Sequence, residues 1–476
     1  MNHLNRKIAA ALWAAAIGGA GSAAAPPPDA IDLSAVQTAN CYIVTPGSTS
    51  FFDATRKGNS PTATIDAGAS ARLIWQDTKN LISSLEYDSG VIVAVTASGA
   101  EGNAVVAVCD AAGNVLWSWH LWVTDFDPEA TAYTTEANSA GTTWTFMDRN
   151  MGAMAASGSF PSHGMLYQWG RKDPFPAPAD FTLVADDYSY IDGMDGEAEL
   201  YDIDGNILPK IKDTAAPGGS VELSVANPMT FYYVSKTDTG ETDEYGMPVI
   251  VDNPPSGDWA DTSADDRWGG VSGHKSIYDP CPPGWKVPVN DADGNTPYAW
   301  MEYSGMTWDA TYGGAIDHGQ WFPGCGTRYY MSGANDLPRD GNPYSGMWIG
   351  TAGTASANLE EYPTLYGQYM MIVNGKRTYK PGKDRRSQGM SLRAVRDEEC
   401  SSALHAVTAA TAVNVRGSRL CFDGDAAIRI ISASGATVCE AYANATFDFG
   451  FLAPGIYIAA VTGCDGTTAS VKFIRR

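Results

Sequence analysis

The chain has 476 residues, 54 of them acidic and 31 basic, for a net charge of −23. A surface this acidic repels nucleic-acid phosphates, which excludes a nucleic-acid binder, and it keeps the chain dispersed in water. Eight cysteines in a chain of this length leave the fold to a hydrophobic core rather than to disulfide staples, and none forms the Cys-x-x-Cys pair that marks zinc or thioredoxin-like sites.

The first 25 residues read as a secretory signal. Arg6 and Lys7 form a basic start, Ile8 to Gly19 an apolar stretch, and Ala20 to Ala25 a run of small residues before Pro26. The apolar stretch is about 12 residues, short of the roughly 20 that span a membrane. An extracellular or outer-membrane-surface location is therefore expected, and an oxidising compartment allows disulfides. Fifty glycines, 27 prolines, 23 tyrosines and 14 tryptophans predict a mainly β chain of several domains, with many turns.

A proline-led linker, 26–34, precedes a β-sandwich expected over 35–130. Cys41–Val44, Ala71–Trp75, Val91–Val95, Ala104–Val108 and Leu116–Trp122 are its strands. The third and fourth are so apolar that they fit strands buried on both faces or lying at a sandwich core. Trp117 and Trp119 read as core or junction residues, and His120 as a strand histidine with its hydrogen bonds met.

Residues 131–397 are dense in tryptophan, with short strands and long loops. Within them, 180–268 reads as an acidic insertion, irregular and exposed. Residues 398–476 contain no tryptophan and read as a small β-sandwich. Its strands are expected at Val413–Phe422, Ala427–Ile431, Phe447–Phe449, Ile456–Val461 and Ser470–Ile474, with turns at Ser434-Gly435 and Pro454-Gly455.

The central region carries five separated motifs. Met147-Asp148-Arg149-Asn150-Met151-Gly152-Ala153 leads to Leu166-Tyr167-Gln168-Trp169-Gly170-Arg171-Lys172-Asp173-Pro174-Phe175. Tyr278-Asp279-Pro280-Cys281-Pro282-Pro283-Gly284-Trp285 follows. Then come Trp321-Phe322-Pro323 with Gly326-Thr327-Arg328-Tyr329 and Gly346-Met347-Trp348-Ile349-Gly350. The last is Gly389-Met390-Ser391-Leu392-Arg393-Ala394-Val395-Arg396-Asp397. In this order they resemble the Fibrobacter succinogenes major paralogous domain. That resemblance implies a central α+β module of the C-type-lectin-like fold with closely spaced ends, and by itself it hands over no function. Members often carry a cysteine near the position of Ala394. Without it, the resemblance leaves Cys281 to pair with Cys400 or Cys325, or to stay free. Ala39–Val44 and Trp117–Asp125 look like segments that precede this module in Bacteroidota-type surface and fimbrillin-associated proteins. Residues 403–476, with Leu452–Tyr457 and the basic end Val471–Arg476, resemble a type IX secretion sorting domain, which implies secretion machinery as a partner.

No catalytic set is marked: there is no Gly-x-Ser-x-Gly, and the central histidines lack metal-ligand spacing. No cofactor is expected. The loop Asp291–Glu302 has calcium-like spacing but Thr296 where an EF-hand needs glycine, and Asp202–Asn206 has no trailing glutamate, so acidic loops leave room only for weak calcium binding. The aromatic route to a sugar remains. Trp308, Tyr312, Trp321, Tyr329, Tyr344 and Trp348 form the expected ligand patch, with Trp321 and Trp348 foremost. The sequence thus reads as an adhesin-like or fimbria-associated surface protein binding a glycan or a surface protein. A structural spacer and a glycan- or protein-modifying enzyme are the alternatives.

Overall fold

The computed structural model describes residues 27–475, apart from 28, 138–140, 159, 180–195, 255, 271–272, 290–306, 310–313, 318, 338–343, 357–363, 374–381, 399–413, 417–418, 433–436 and 464–467. The expected signal, Cys400, Tyr312, Asp291–Glu302 and the turn at Ser434-Gly435 lie outside the described residues. The fold is mainly β and built from several sheets, with 44% of residues in strands and 6% in helices. Two compact units divide the chain, Met1–Arg396 and Asp397–Arg476.

The first eight strands are β1 (Ile31–Asp32), β2 (Cys41–Val44), β3 (Thr49–Asp53), β4 (Ser70–Gln76), β5 (Ile82–Asp88), β6 (Val91–Thr96), β7 (Gly102–Cys109) and β8 (Val115–Val123). They form two four-stranded sheets, β1-β3-β6-β5 and β2-β8-β7-β4. All five strands predicted for this region are present. Between the sheets lies a core of Tyr42, Val44, Phe52, Ile92, Ala104, Val106, Val108, Trp119 and Leu121, among others. Each such side chain withdrawn from water contributes about 1.5–3 kcal/mol if it is valine-sized or larger.

The outer face of the second sheet is buried as well. Residues directly opposite across a ladder share a face, and the register pairs Asn103 with Trp122, Val105 with His120 and Ala107 with Ser118. Cys41 and Ile43 join that face through the parallel pairing of β2 with β8. Cys41, Trp75, Val105 and Trp122 pack in one cluster with Met147, Tyr167, Trp169, Cys281, Trp285 and Trp348. The region after residue 130 therefore covers the back of the sandwich and shares a core with it. This double coverage explains the near-continuous apolar run of β7, in which every residue is buried.

The central region holds its two ends together. Thr145–Phe146 pairs with Val395–Arg396, itself paired with Trp285–Lys286. Next to it, an eight-stranded sheet runs in the order Phe175–Pro176, Met165–Gln168, Gly389–Ser391, Tyr344–Ser356, Thr364–Val373 and Gly382–Arg385, with Thr327–Arg328 and Asn335–Asp336 off that path. Gly367 lies under the Trp169 indole, where a Cβ would sit 2.4 Å from the ring; only glycine lets the two approach.

The expected insertion is not uniformly exposed. Its hairpin, Ser235–Thr242 with Pro248–Asn253, is mostly open to solvent, and Tyr245 at the tip is 82% exposed. Phe231, Trp259 and Trp268 are instead buried. Arg171 anchors this stretch by donating to the carbonyls of Asn227, Pro228 and Thr230, just beyond the short helix Val221–Ala226. At the hairpin's root, Asp252 accepts from Lys236 and from Arg385, the latter at 2.7 Å.

The second unit differs from expectation in detail. The run Val413–Phe422 is two strands, Asn414–Arg416 and the start of a fourteen-residue strand, Arg419–Ser432. Thr437–Asp448 is a full strand where only its end was foreseen. Together with Gly455–Gly463 and Thr468–Arg475 they make one hydrogen-bonded antiparallel sheet of five strands. The long strand pairs along both edges and is an interior strand of the sheet. Ile428, Ile430, Tyr457, Ala459 and Val461 alternate onto a single buried cluster with Leu420, Phe449 and Leu452.

A buried charged cluster lies in the shared core of the first unit. The Lys172 ammonium donates to the Asp173 carboxylate at 2.6 Å and to the Ser118 carbonyl at 3.0 Å, while the Ser118 hydroxyl donates to the same carboxylate at 2.6 Å. Lys172 and Asp173 are each only 2% exposed at the side chain. Lys172→Met would leave a carboxylate buried without its cation, which costs about 3–5 kcal/mol. Urea unfolding should show that loss in the single variant and a large part of it recovered in Lys172→Met/Asp173→Leu.

Candidate functional site

The predicted aromatic patch is not assembled on a surface. Trp348 is fully buried, donates from Nε1 to the Tyr167 carbonyl at 2.7 Å and packs edge-on against Tyr369. Trp321 is 6% exposed and donates to the Ser162 hydroxyl at 3.1 Å. Indoles sealed in this way cannot stack on a pyranose, so both assignments are corrected to core. Tyr329 is half-buried against Tyr330. Trp308 sits in the strand Thr307–Asp309 and Tyr344 opens Tyr344–Ser356; their side chains, like Tyr312, lie outside the described residues. Trp348→Ala should therefore destabilise the first unit by about 3–5 kcal/mol in a denaturant titration, with no ligand loss apart from unfolding.

The motif charges are structural too. Asp279 accepts from the backbone N–H groups of Cys281 and Val287, and Lys275 donates to Asp279 and to the carbonyls of Cys281 and Trp285. This knits the Asp-Pro-Cys-Pro-Pro-Gly-Trp loop, whose Gly284 has φ +78°. No disulfide joins Cys281 to Cys325; the two lie in separate clusters with Cys325 beside Leu166 and Ala177, which corrects that pairing. In Asp202–Asn206 the Asp202 carboxylate accepts from the backbone of Asp204 and Asn206 and from the Asn206 side chain, which closes the segment as a turn. Among the described residues, no group of three metal-ligating side chains converges.

Cys41, His120 and Asn103 carry the residue types of a nucleophilic triad. Asn103 donates from Nδ2 to Asp77 at 2.8 Å and to the Gly152 carbonyl at 3.0 Å, so its Oδ1 accepts from His120 Nε2 at 2.9 Å. His120 Nδ1 is then the acceptor, and the Cys41 thiol donates to it at 3.4 Å. Cys41, Asn103 and His120 are at most 2% exposed. Burial raises the Cys41 thiol and holds His120 down to about 3, so both stay neutral. The chain of bonds is a satisfied core network out of reach of any substrate.

That network ends at a surface groove of about 510 Å³, a volume in the range of ligand sites. One wall is Asp77, Thr78 and Asn103 from the sandwich. The other comes from Gly152, Met154, Phe160, Pro161, His163–Met165, Pro176–Ala179 and Glu197–Glu199 of the central region. His163 donates from Nδ1 to the Pro178 carbonyl at 3.0 Å, stands edge-on to the half-buried ring of Phe160, and is lowered to about 4 by burial. Glu197 is fixed by a two-point pair with Arg328, at 2.9 and 3.1 Å. Glu199 is exposed and accepts from the Tyr201 hydroxyl at 2.6 Å. Among the described residues, no lysine or arginine lines the groove. It offers acceptors and one aromatic edge on a rigid floor. Sequence reasoning did not assign these residues to a site, since they come from six separate segments and share no motif.

Compared with known proteins, the chain matches no protein-family model and no curated protein.

The histidines make the first unit acid-sensitive. Both His120 and His163 have folded values below the ordinary 6.5. The unfolded chain therefore binds more protons below that pH. The stability they contribute is complete above pH 6.5 and falls as the pH drops toward 4, by up to about 1.4 kcal/mol per unit for each ring. Asp77 works the other way: burial raises its carboxyl, so its contribution declines as pH rises above the usual carboxylate range. The urea midpoint should be lower at pH 5 than at pH 7, and His163→Gln should flatten that slope.

Proposed function

We propose that the chain is an exported cell-surface or secreted binding protein that recognises a glycan or a surface protein through the groove between the sandwich and the central region. The observation that carries this reading is the groove itself: about 510 Å³, acceptor-rich, and set on a floor in which Asn103, His163 and Glu197 are each held by hydrogen bonds. Such a surface suits the hydroxyl donors of a saccharide, with the half-buried Phe160 ring offering an apolar contact. The sealed state of Cys41 and His120 argues against the nucleophilic enzyme alternative. The adjacent ends of the central region, where Phe146 pairs with Val395, support a lectin-like module there. Within the same proposal, residues 1–25 direct export and 403–476 act as a sorting-type domain.

A glycan array probed with the purified chain tests the reading. Binding to a defined glycan class is expected. Phe160→Ala and Glu199→Gln should each weaken it at least about tenfold while keeping the wild-type melting temperature, because neither residue is buried. Variants that bind as well as the wild type would refute the groove as the site.

A further inference from the structure

We propose that the outer face of the sheet β1-β3-β6-β5 is a docking surface for a basic amphipathic segment of a partner protein. Side chains alternate between the two faces of a strand. Phe52, Ile92 and Ala94 point into the sandwich core, so Phe51, Val91, Val93 and Val95 point out. Among the described residues, no hydrophobic cluster takes up these four. Phe51, Val91 and Val95 are half-buried rather than sealed. The register sets them between carboxylates. One row across the sheet reads Asp32, Phe51, Val93, Glu86. The next reads Asp53, Val91, Asp88. The four strands contain no lysine or arginine. Burial raises the Glu86 carboxyl, which has no hydrogen-bond partner among the described residues. The face shares no residue with the groove.

An apolar strip bracketed by charge of one sign fits a partner with the same pattern and the opposite sign. Neighbouring strands lie about 4.8 Å apart, so the bracketing positions stand about 10 Å apart across Val91 and about 14 Å apart across Phe51 and Val93. A helix with its side chains is about 10–12 Å across. A helix that lays an apolar stripe along β6 brings lysines or arginines on one flank to Asp32 and Asp53, and those on the other to Glu86 and Asp88. A second copy docked by the same face would instead set these carboxylates against their own kind, which repels. The net charge of −23 speeds the encounter with a basic partner, and the apolar strip decides where that partner settles.

A titration of the full chain with a fluorescent amphipathic leucine–lysine peptide tests this, read by anisotropy. The peptide should bind, and its leucine–glutamate counterpart should not. Asp32→Lys/Glu86→Lys should weaken binding at least about tenfold, and Phe51→Ser by a similar factor. Glu241→Lys/Glu244→Lys makes the same change of charge on the exposed hairpin tip and should leave the affinity within about twofold of the wild type. Melting temperatures identify any variant that fails to fold; should Phe51→Ser be one, the two charge variants decide. No binding, or an equal loss in the sheet and hairpin variants, would overturn the proposal, the second by showing that the attraction is diffuse. So would a dimer of the wild-type chain that dissociates on Phe51→Ser, because the face would then be occupied by a second copy.

Discussion

The sheet β2-β8-β7-β4 is covered on both faces, and the rest of the first unit follows from that. Its inner face meets the other sandwich sheet through Val106, Trp119 and Leu121. Its outer face meets the central region through Val105 and Trp122. In a sheet with no solvent face, each buried polar group costs free energy unless it is hydrogen-bonded. On the outer face Ser118 bonds Asp173, and His120 bonds Asn103 and Cys41, while the buried indole N–H groups of Trp75 and Trp122 have no partner among the described residues. The Ser118–Asp173 bond ties β8 to the central region, and the His120 bonds tie it to its neighbours in the sheet; a slip of one residue would turn Ser118 and His120 onto the apolar inner face.

The same constraint places the groove. Asp77 and Asn103 lie where β4 and β7 run out from beneath the central region, and the covering layer stops at Phe160–Met165. The wall from the sandwich is held by Asn103, which donates to Asp77 and to Gly152 across the junction. The groove is thus an edge of the buried junction, and its shape is as rigid as the core beneath it.

Much of the fold was legible in the residues. β7 and β8 announce themselves by apolar runs, and the turn between them is marked by Ala111-Ala112-Gly113-Asn114. The ends of the central region were foreseen as neighbours from a resemblance, and Phe146 does pair with Val395. The burial of Phe231, Trp259 and Trp268 was not legible, because it depends on Arg171 reaching carbonyls more than fifty residues away. The candidate site was read least well. Tryptophans in short strands carry no sign of which way they face when both sides are covered, so Trp321 and Trp348 looked like surface and are core. The groove residues share no pattern, since Asp77, Asn103, His163 and Glu199 meet only after the two layers pack.

The hairpin Ser235–Asn253 has one further consequence. Its root is clamped by Asp252, while its tip, Asp243–Met247, is a self-contained turn in which Asp243 accepts from the backbone of Tyr245 and Met247. Among the described contacts, none ties that tip to the body of the unit. Insertions there would lengthen an already independent turn, and loops of this kind tolerate added residues well. The tip is therefore the natural place for an epitope tag or a fluorophore. A label there would report on the intact first unit without touching its core or its groove.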